Sequence, residues 1–173
     1  MGIVAQVTVA RIISGGQTGA DRGALEAAWD LGIATGGFAP AGWRAEDGVI
    51  PERYRVGMVQ SASPAYPVRT RANIEASDAT LILSIGPLEM DSGSYLTAKM
   101  ARTLGKPCRH NIVADIEYRR HAIDRVSQFL RECNVRILNV AGPRESREPG
   151  VQAAVRAALA AILGGERDPW DAL

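Results

Sequence analysis

The stretch Ile12-Ile13-Ser14-Gly15-Gly16-Gln17-Thr18-Gly19-Ala20-Asp21-Arg22 joins two unlike patterns. Before it runs an apolar segment, Val7 to Ile13. After it, Ala24, Leu25, Ala28, Trp29 and Leu31 recur at helical spacing. The sequence therefore predicts a strand, a glycine turn and a helix start. Such a junction aims unpaired backbone N–H groups and the positive end of a helix dipole at one spot, which suits an anion. Gly15, Gly16 and Gly19 allow a tight turn and close approach of a phosphate, and Ser14 and Thr18 add hydroxyls. Walker A needs a Lys after its last Gly, where Ala20 stands here, and the dinucleotide fingerprint spaces its glycines differently. A glycine turn before a helix can also be only a turn.

Working outward, strand-like and helix-like segments alternate. Strands are expected at Val7–Ser14, Ile33–Phe38, Ala79–Ile85, Pro107–Val113 and Val135–Val140. Helices are expected at Gly19–Leu31, Arg69–Ala76, Ser94–Leu104, Ala114–Glu132 and Pro149–Leu163. The continuous apolar run Ala79–Ile85 suits a strand buried on both faces. Between Ala39 and Pro67 lies a long segment rich in Gly, Pro and charge, read as a loop that is functional or mobile. The alternation predicts a single-domain α/β sandwich of three layers with a mainly parallel sheet. The domain is placed at residues 1–165, with 166–173 as a flexible tail containing Trp170.

In open parallel sheets, ligands bind at the carboxyl ends of the strands. Three polar turns fall there by sequence: Ser14 to Thr18, Asp91 to Thr97, and Asn139 to Ser146. Their convergence points to a pocket for an anionic small molecule.

The composition sets bounds. The chain has 173 residues, 46% hydrophobic and 23% charged, with a formal net charge of +1. That size supports one domain with its own core. Near-neutral charge gives no bulk attraction to nucleic acid or a membrane, so neither is an expected partner. Cys108 and Cys133 suggest no disulfide framework, and with His110 and His121 they show no zinc spacing, so a protein-bound zinc is not expected. The absence of a long apolar span or a signal-like start leads to a cytoplasmic expectation.

Several blocks, taken in order, resemble one family. They are residues 13–22, Gly42-Trp43-Arg44-Ala45-Glu46-Asp47-Gly48, Arg69-Thr70-Arg71-Ala72-Asn73, Ser77-Asp78-Ala79-Thr80-Leu81, Ser92-Gly93-Ser94-Tyr95-Leu96-Thr97, and residues 138–146. The chain resembles the molybdenum carrier family, among Rossmann-like proteins that include the Lonely Guy and lysine-decarboxylase-like proteins. The resemblance implies a Rossmann-like fold, a homo-oligomer (dimer or tetramer), and a phosphate-bearing ligand, either the molybdenum cofactor or a nucleotide. Molybdoenzymes would then be candidate partners. Where the nucleotide-cleaving relatives place a catalytic Glu after a Gly-Thr pair, this chain has Gly93-Ser94-Tyr95-Leu96-Thr97-Ala98-Lys99, without a carboxylate. That favours binding over hydrolysis, and no catalytic residue is assigned.

The expected ligand-binding residues are Gly15, Gly16, Gln17, Thr18, Gly19, Asp21, Arg22, Arg69, Thr70, Asn73, Gly93, Ser94, Thr97 and Arg144. Each has a plainer reading. Asp21 could complement the helix dipole, Thr70 or Asn73 could cap a helix, and Arg22 or Arg144 could serve surface ion pairs. Trp43 and Tyr95 could stack on a flat ring or simply pack. The roles of Glu46 and Asp47 stay open. Either would be the acid of a nucleoside-monophosphate hydrolase, the alternative enzymatic reading. A nucleotide sensor without chemistry is a third.

Overall fold

The computed structural model describes residues 8–114 and 120–164. Six parallel strands make the sheet: β1 (Arg11–Ile13), β2 (Ala34–Ala39), β5 (Met58–Gln60), β6 (Ala79–Ser84), β7 (Cys108–Ile112) and β8 (Ile137–Ala141), in the order β5-β2-β1-β8-β6-β7. A two-stranded antiparallel hairpin, β3 (Arg44–Ala45) and β4 (Gly48–Val49), stands apart. Among the described residues, the sheet is covered by the helices α1 (Ala20–Asp30), α2 (Tyr66–Ala76), α3 (Gly93–Thr103), α4 (Arg120–Glu132) and α5 (Val151–Leu163). This is the expected three-layer, Rossmann-like α/β domain.

Side-chain alternation divides the core. Leu81 and Leu83 of β6 join Ile12, Leu138 and Val140 in one buried cluster with α1, α4 and α5, among them Ala24, Val126 and Leu159. Thr80, Ile82 and Ser84 alternate with these residues along β6 and are likewise buried. All six β6 residues are buried, as the apolar run requires. The polar Thr80 is satisfied there by Asn139 of β8, whose Nδ2 donates to its Oγ1 at 3.1 Å.

The register places β8 between β1 and β6: Ile12 pairs with Leu138, and Leu81 with Val140. The helices leaving β1 and β8, α1 and α5, pack on each other. The helix leaving β6, α3, packs on α2 instead. The adjacent strands β8 and β6 thus send their chains to opposite faces, and a crevice opens beyond their carboxyl ends.

Two expectations need correction. The segment Ala39–Pro67 is not a bare loop. It contains the hairpin, the edge strand β5 and two single-turn helices, Ala41–Trp43 and Glu52–Arg55. It is anchored by a second buried cluster of Leu25, Ala39, Ala45, Ile50, Tyr54 and Met58, against which Trp43 packs. The helix expected from Arg69 starts a turn earlier, at Tyr66, with Pro67 in its first turn, where a missing N–H costs nothing. Val7, Ile116 and the expected tail 166–173 lie outside the described residues.

Candidate functional site

The glycine turn after β1 is closed by its own side chains. Gln17 N–H donates to Asp21 Oδ2 at 3.2 Å, and the Gly15 N–H also bonds this carboxylate. Gly16 N–H donates to Ser14 Oγ at 3.4 Å, Thr18 N–H to Gln17 Oε1 at 3.1 Å, and Ala20 N–H to the Pro143 carbonyl at 3.0 Å. The donors expected to seat an external anion are therefore largely spent. Asp21, in the first turn of α1, reaches back and supplies the negative charge that the helix start favours. Burial pushes its carboxyl above the usual range, against the opposing pull of Arg69 and the two N–H groups. Gly19 is where glycine is required: φ is +81°, and a Cβ would stand 2.5 Å from the Pro143 carbonyl oxygen. Gly15, Gly16, Thr18 and Gly19 form the wall behind the cleft rather than its lining.

In front of this wall is a cleft of about 470 Å³. The turn after β1 contributes Gln17 and Asp21, α2 contributes Tyr66, Arg69 and Thr70, and the turn after β6 contributes Gly93, Ser94 and Thr97. Arg144 and Arg147 come from the turn after β8. All three sequence-predicted turns meet here, as strand-end geometry requires. Arg69 Nη1 lies 3.3 Å from Asp21 Oδ2, and its side chain is only 14% exposed. The Tyr66 ring gathers three guanidinium groups: Arg144 at 4.7 Å, Arg44 at 5.6 Å and Arg69 at 6.0 Å from its centroid. Such cation–π contacts hold positive charge at the mouth of the cleft.

At the start of α3, Ser92 caps the helix by accepting from Tyr95 N–H at 3.1 Å. The N–H groups of Gly93 and Ser94 have no acceptor among the described residues. Two further donors are buried and unpartnered among those residues: Gln17 Nε2 and Arg69 Nε. Both residues line the cleft.

The sequence profile of the circularly permutated YpsA SLOG family matches residues 12–163. The chain belongs to that family. A solved structure from Syntrophus aciditrophicus SB, named "Putative molybdenum carrier protein", is 36% identical and superposes with a TM-score of 0.86, covering 94% of this chain and 99% of its own. No curated protein matches the chain significantly.

Within this YpsA-type chain, some predicted site residues serve the scaffold instead. Arg22 grips Asp47 with two hydrogen bonds, 2.7 and 2.9 Å, and its Nε donates to the Gly16 carbonyl. Asn73 is bound to both backbone groups of Phe38, accepting from its N–H at 2.8 Å and donating to its carbonyl at 2.9 Å. Neither lines the cleft. Glu46 accepts from Thr18 Oγ1 and from Ser146 Oγ, tying the hairpin to two of the polar turns. Tyr95 lines a separate groove beside Lys99 and Arg102.

Sequence reasoning missed Tyr66, Arg147, Glu148 and the rim residues Pro87, Leu88 and Glu89. A signal for Tyr66 was present, since Pro67 marks the first turn of a helix and places its neighbour at the strand-end edge.

Proposed function

We propose that this chain binds a phosphate-bearing small molecule in the cleft between the turns after β1, β6 and β8, and that the molecule is the molybdenum cofactor or a nucleotide. The observation that carries the reading is the set of buried or helix-start donors left open in one cleft: Gln17 Nε2, Arg69 Nε, and the Gly93 and Ser94 N–H groups. An unpaired buried donor is costly, and an oxyanion would satisfy several at once. The cleft volume falls within the range of small-molecule sites. A ligand-binding role also agrees with the family and with the name of the 36% identical relative.

A carrier fits better than a hydrolase. Glu46 and Asp47, the acids a hydrolase would draw on by sequence, are tied to Thr18, Ser146 and Arg22 outside the cleft lining. Asp21 is inside, but its carboxylate already serves Arg69 and two backbone N–H groups.

Native mass spectrometry of protein purified from its own host tests this, followed by denaturation and identification of what is released. A molybdopterin or nucleotide in near-stoichiometric amount is the expected result. Bare protein that also shows no thermal shift with nucleoside monophosphates, pterins, phosphate or molybdate would overturn it.

A further inference from the structure

We infer that the Gln17 amide and Arg69 form a donor seat in this cleft that favours the more highly ionised form of an oxyanion, with Gln17 as the specificity-determining residue. The inference rests on the reading of the cleft as an anion site.

The orientation of the Gln17 amide is fixed by its partners. Its Oε1 accepts from two backbone donors, Thr18 N–H at 3.1 Å and Glu46 N–H at 2.9 Å. Flipping the amide would set donor against donor, so the oxygen faces the chain and Nε2 is left over. Gln17 is 4% exposed, and Nε2 is buried without a partner among the described residues. Beside it, Arg69 spends Nη1 on Asp21, while its Nε is buried and unpaired.

The carboxylates around this seat already accept hydrogen bonds from the chain. Asp21 receives the Gly15 and Gln17 N–H groups and Arg69. Glu148, from the turn after β8, receives Ile85 N–H at 2.6 Å and Gly86 N–H at 3.4 Å. The Thr97 hydroxyl donates to the carbonyl of Gly93 in its own helix. Glu89 and Asp91 are exposed on the rim, and Arg144 and Arg147 add only donors. A ligand oxygen that accepts is matched at the inner end by at least two open donors. A protonated ligand oxygen accepts more weakly than an ionised one, so these donors hold the more highly charged form of an oxyanion more tightly.

Phosphate and sulfate separate this chemistry. Phosphate takes up its second proton between about pH 8 and about pH 5.5, whereas sulfate stays fully ionised. Titration of Asp21, Glu89, Asp91 or Glu148 affects both anions, so the ratio of their affinities isolates the ligand's own proton. Calorimetry with inorganic phosphate and inorganic sulfate on the full chain is the experiment. Phosphate binding is expected to weaken about tenfold relative to sulfate over that range. An unchanged ratio would overturn the inference while leaving the anion site standing. Failure of the wild type to bind either anion at millimolar concentration would instead overturn the underlying reading, and the inference with it.

Gln17→Glu supplies the second arm. It keeps an oxygen for the Thr18 and Glu46 N–H groups and places an acceptor where Nε2 stood. The variant is expected to bind sulfate at least about tenfold more weakly than wild type. Sulfate affinity equal to wild type in folded Gln17→Glu would overturn the role assigned to Gln17. The pH ratio in the wild type stands as a test even if the variant does not fold.

Discussion

Gly15 and Arg69 share one piece of space. A Cβ on Gly15 would overlap the Arg69 guanidinium, the far end of a flexible side chain. Gly15→Ala should therefore fold and melt within about 4 °C of wild type, yet push Arg69 out of the cleft and weaken anion binding about tenfold. Thermal melting and calorimetry on the same sample check both halves. Gly19→Ala is the contrast, because there a Cβ would meet backbone, the Pro143 carbonyl oxygen and Glu145 nitrogen, at a φ of +81°. It should cost about 3 kcal/mol or more in urea unfolding. The glycine turn itself was legible in the sequence, and so was its position at a strand end. What it holds was not. Asp21 and Gln17 turn their side chains back to consume the turn's N–H groups, so the open donors moved from the backbone of Gly15 to Gly19 onto the Gln17 amide and Arg69. A residue pattern reveals which groups are available, but competition for them is settled by rotamers that only the packed turn fixes.

The hairpin β3–β4 is held to the site by carboxylates. Partial burial pushes the Glu46 carboxyl up, but hydrogen bonds from Ser146 and Thr18, with Arg144 nearby, hold it below the usual range overall. The bidentate bond from Arg22 lowers Asp47, with burial opposing. A carboxyl depressed on folding contributes stability above its unfolded value, and that contribution is lost as pH falls through the lower folded value. The anchorage should be complete above about pH 5 and fade below it. Both carboxylates are exposed, so solvent screening keeps each contribution small. Glu46→Gln at neutral pH should mimic the acid form: faster amide exchange at Arg44 to Val49, with β1, β6 and β8 unchanged. Equal exchange in variant and wild type would show that Glu46 does not hold the hairpin, leaving that to the Arg22–Asp47 pair and the second buried cluster. This segment is also where sequence reading failed at the scale of elements. β5 is three residues long and lies at the sheet edge with Val59 and Gln60 exposed, so it carries neither an apolar run nor a clean alternation. Its register comes from β2, through Gly37 to Ala39, and not from its own composition. The buried β6, with six consecutive buried residues, was legible for the opposite reason.

Across the whole molecule, the last strand in the chain is a central strand in space. β8 is hydrogen-bonded to β1 on one side and β6 on the other. Alternating strands and helices announced a parallel sheet, but nothing local says that a late strand inserts between two earlier ones, because strand order depends on which edges pair after the chain has collapsed. The insertion makes the sheet depend on its C-terminal third. Without β8, β1 with β2 and β5 forms one half-sheet and β6 with β7 another, and no pairing joins them. Removing α5 as well strips Val151, Val155, Leu159 and Ile162 from the main cluster and uncovers α1. Leu138 of β8 is fully buried, so even Leu138→Ala should cost about 2–5 kcal/mol in chemical denaturation. Ending the chain at Asn134 should do far more: residues 1–134 should show no cooperative thermal transition, while far-UV circular dichroism retains some helical signal. A sharp melt from that fragment would mean that the two half-sheets fold as independent units and β8 only docks between them. In that case the cleft, whose walls come from both sides of β8, would form only in the last step of folding.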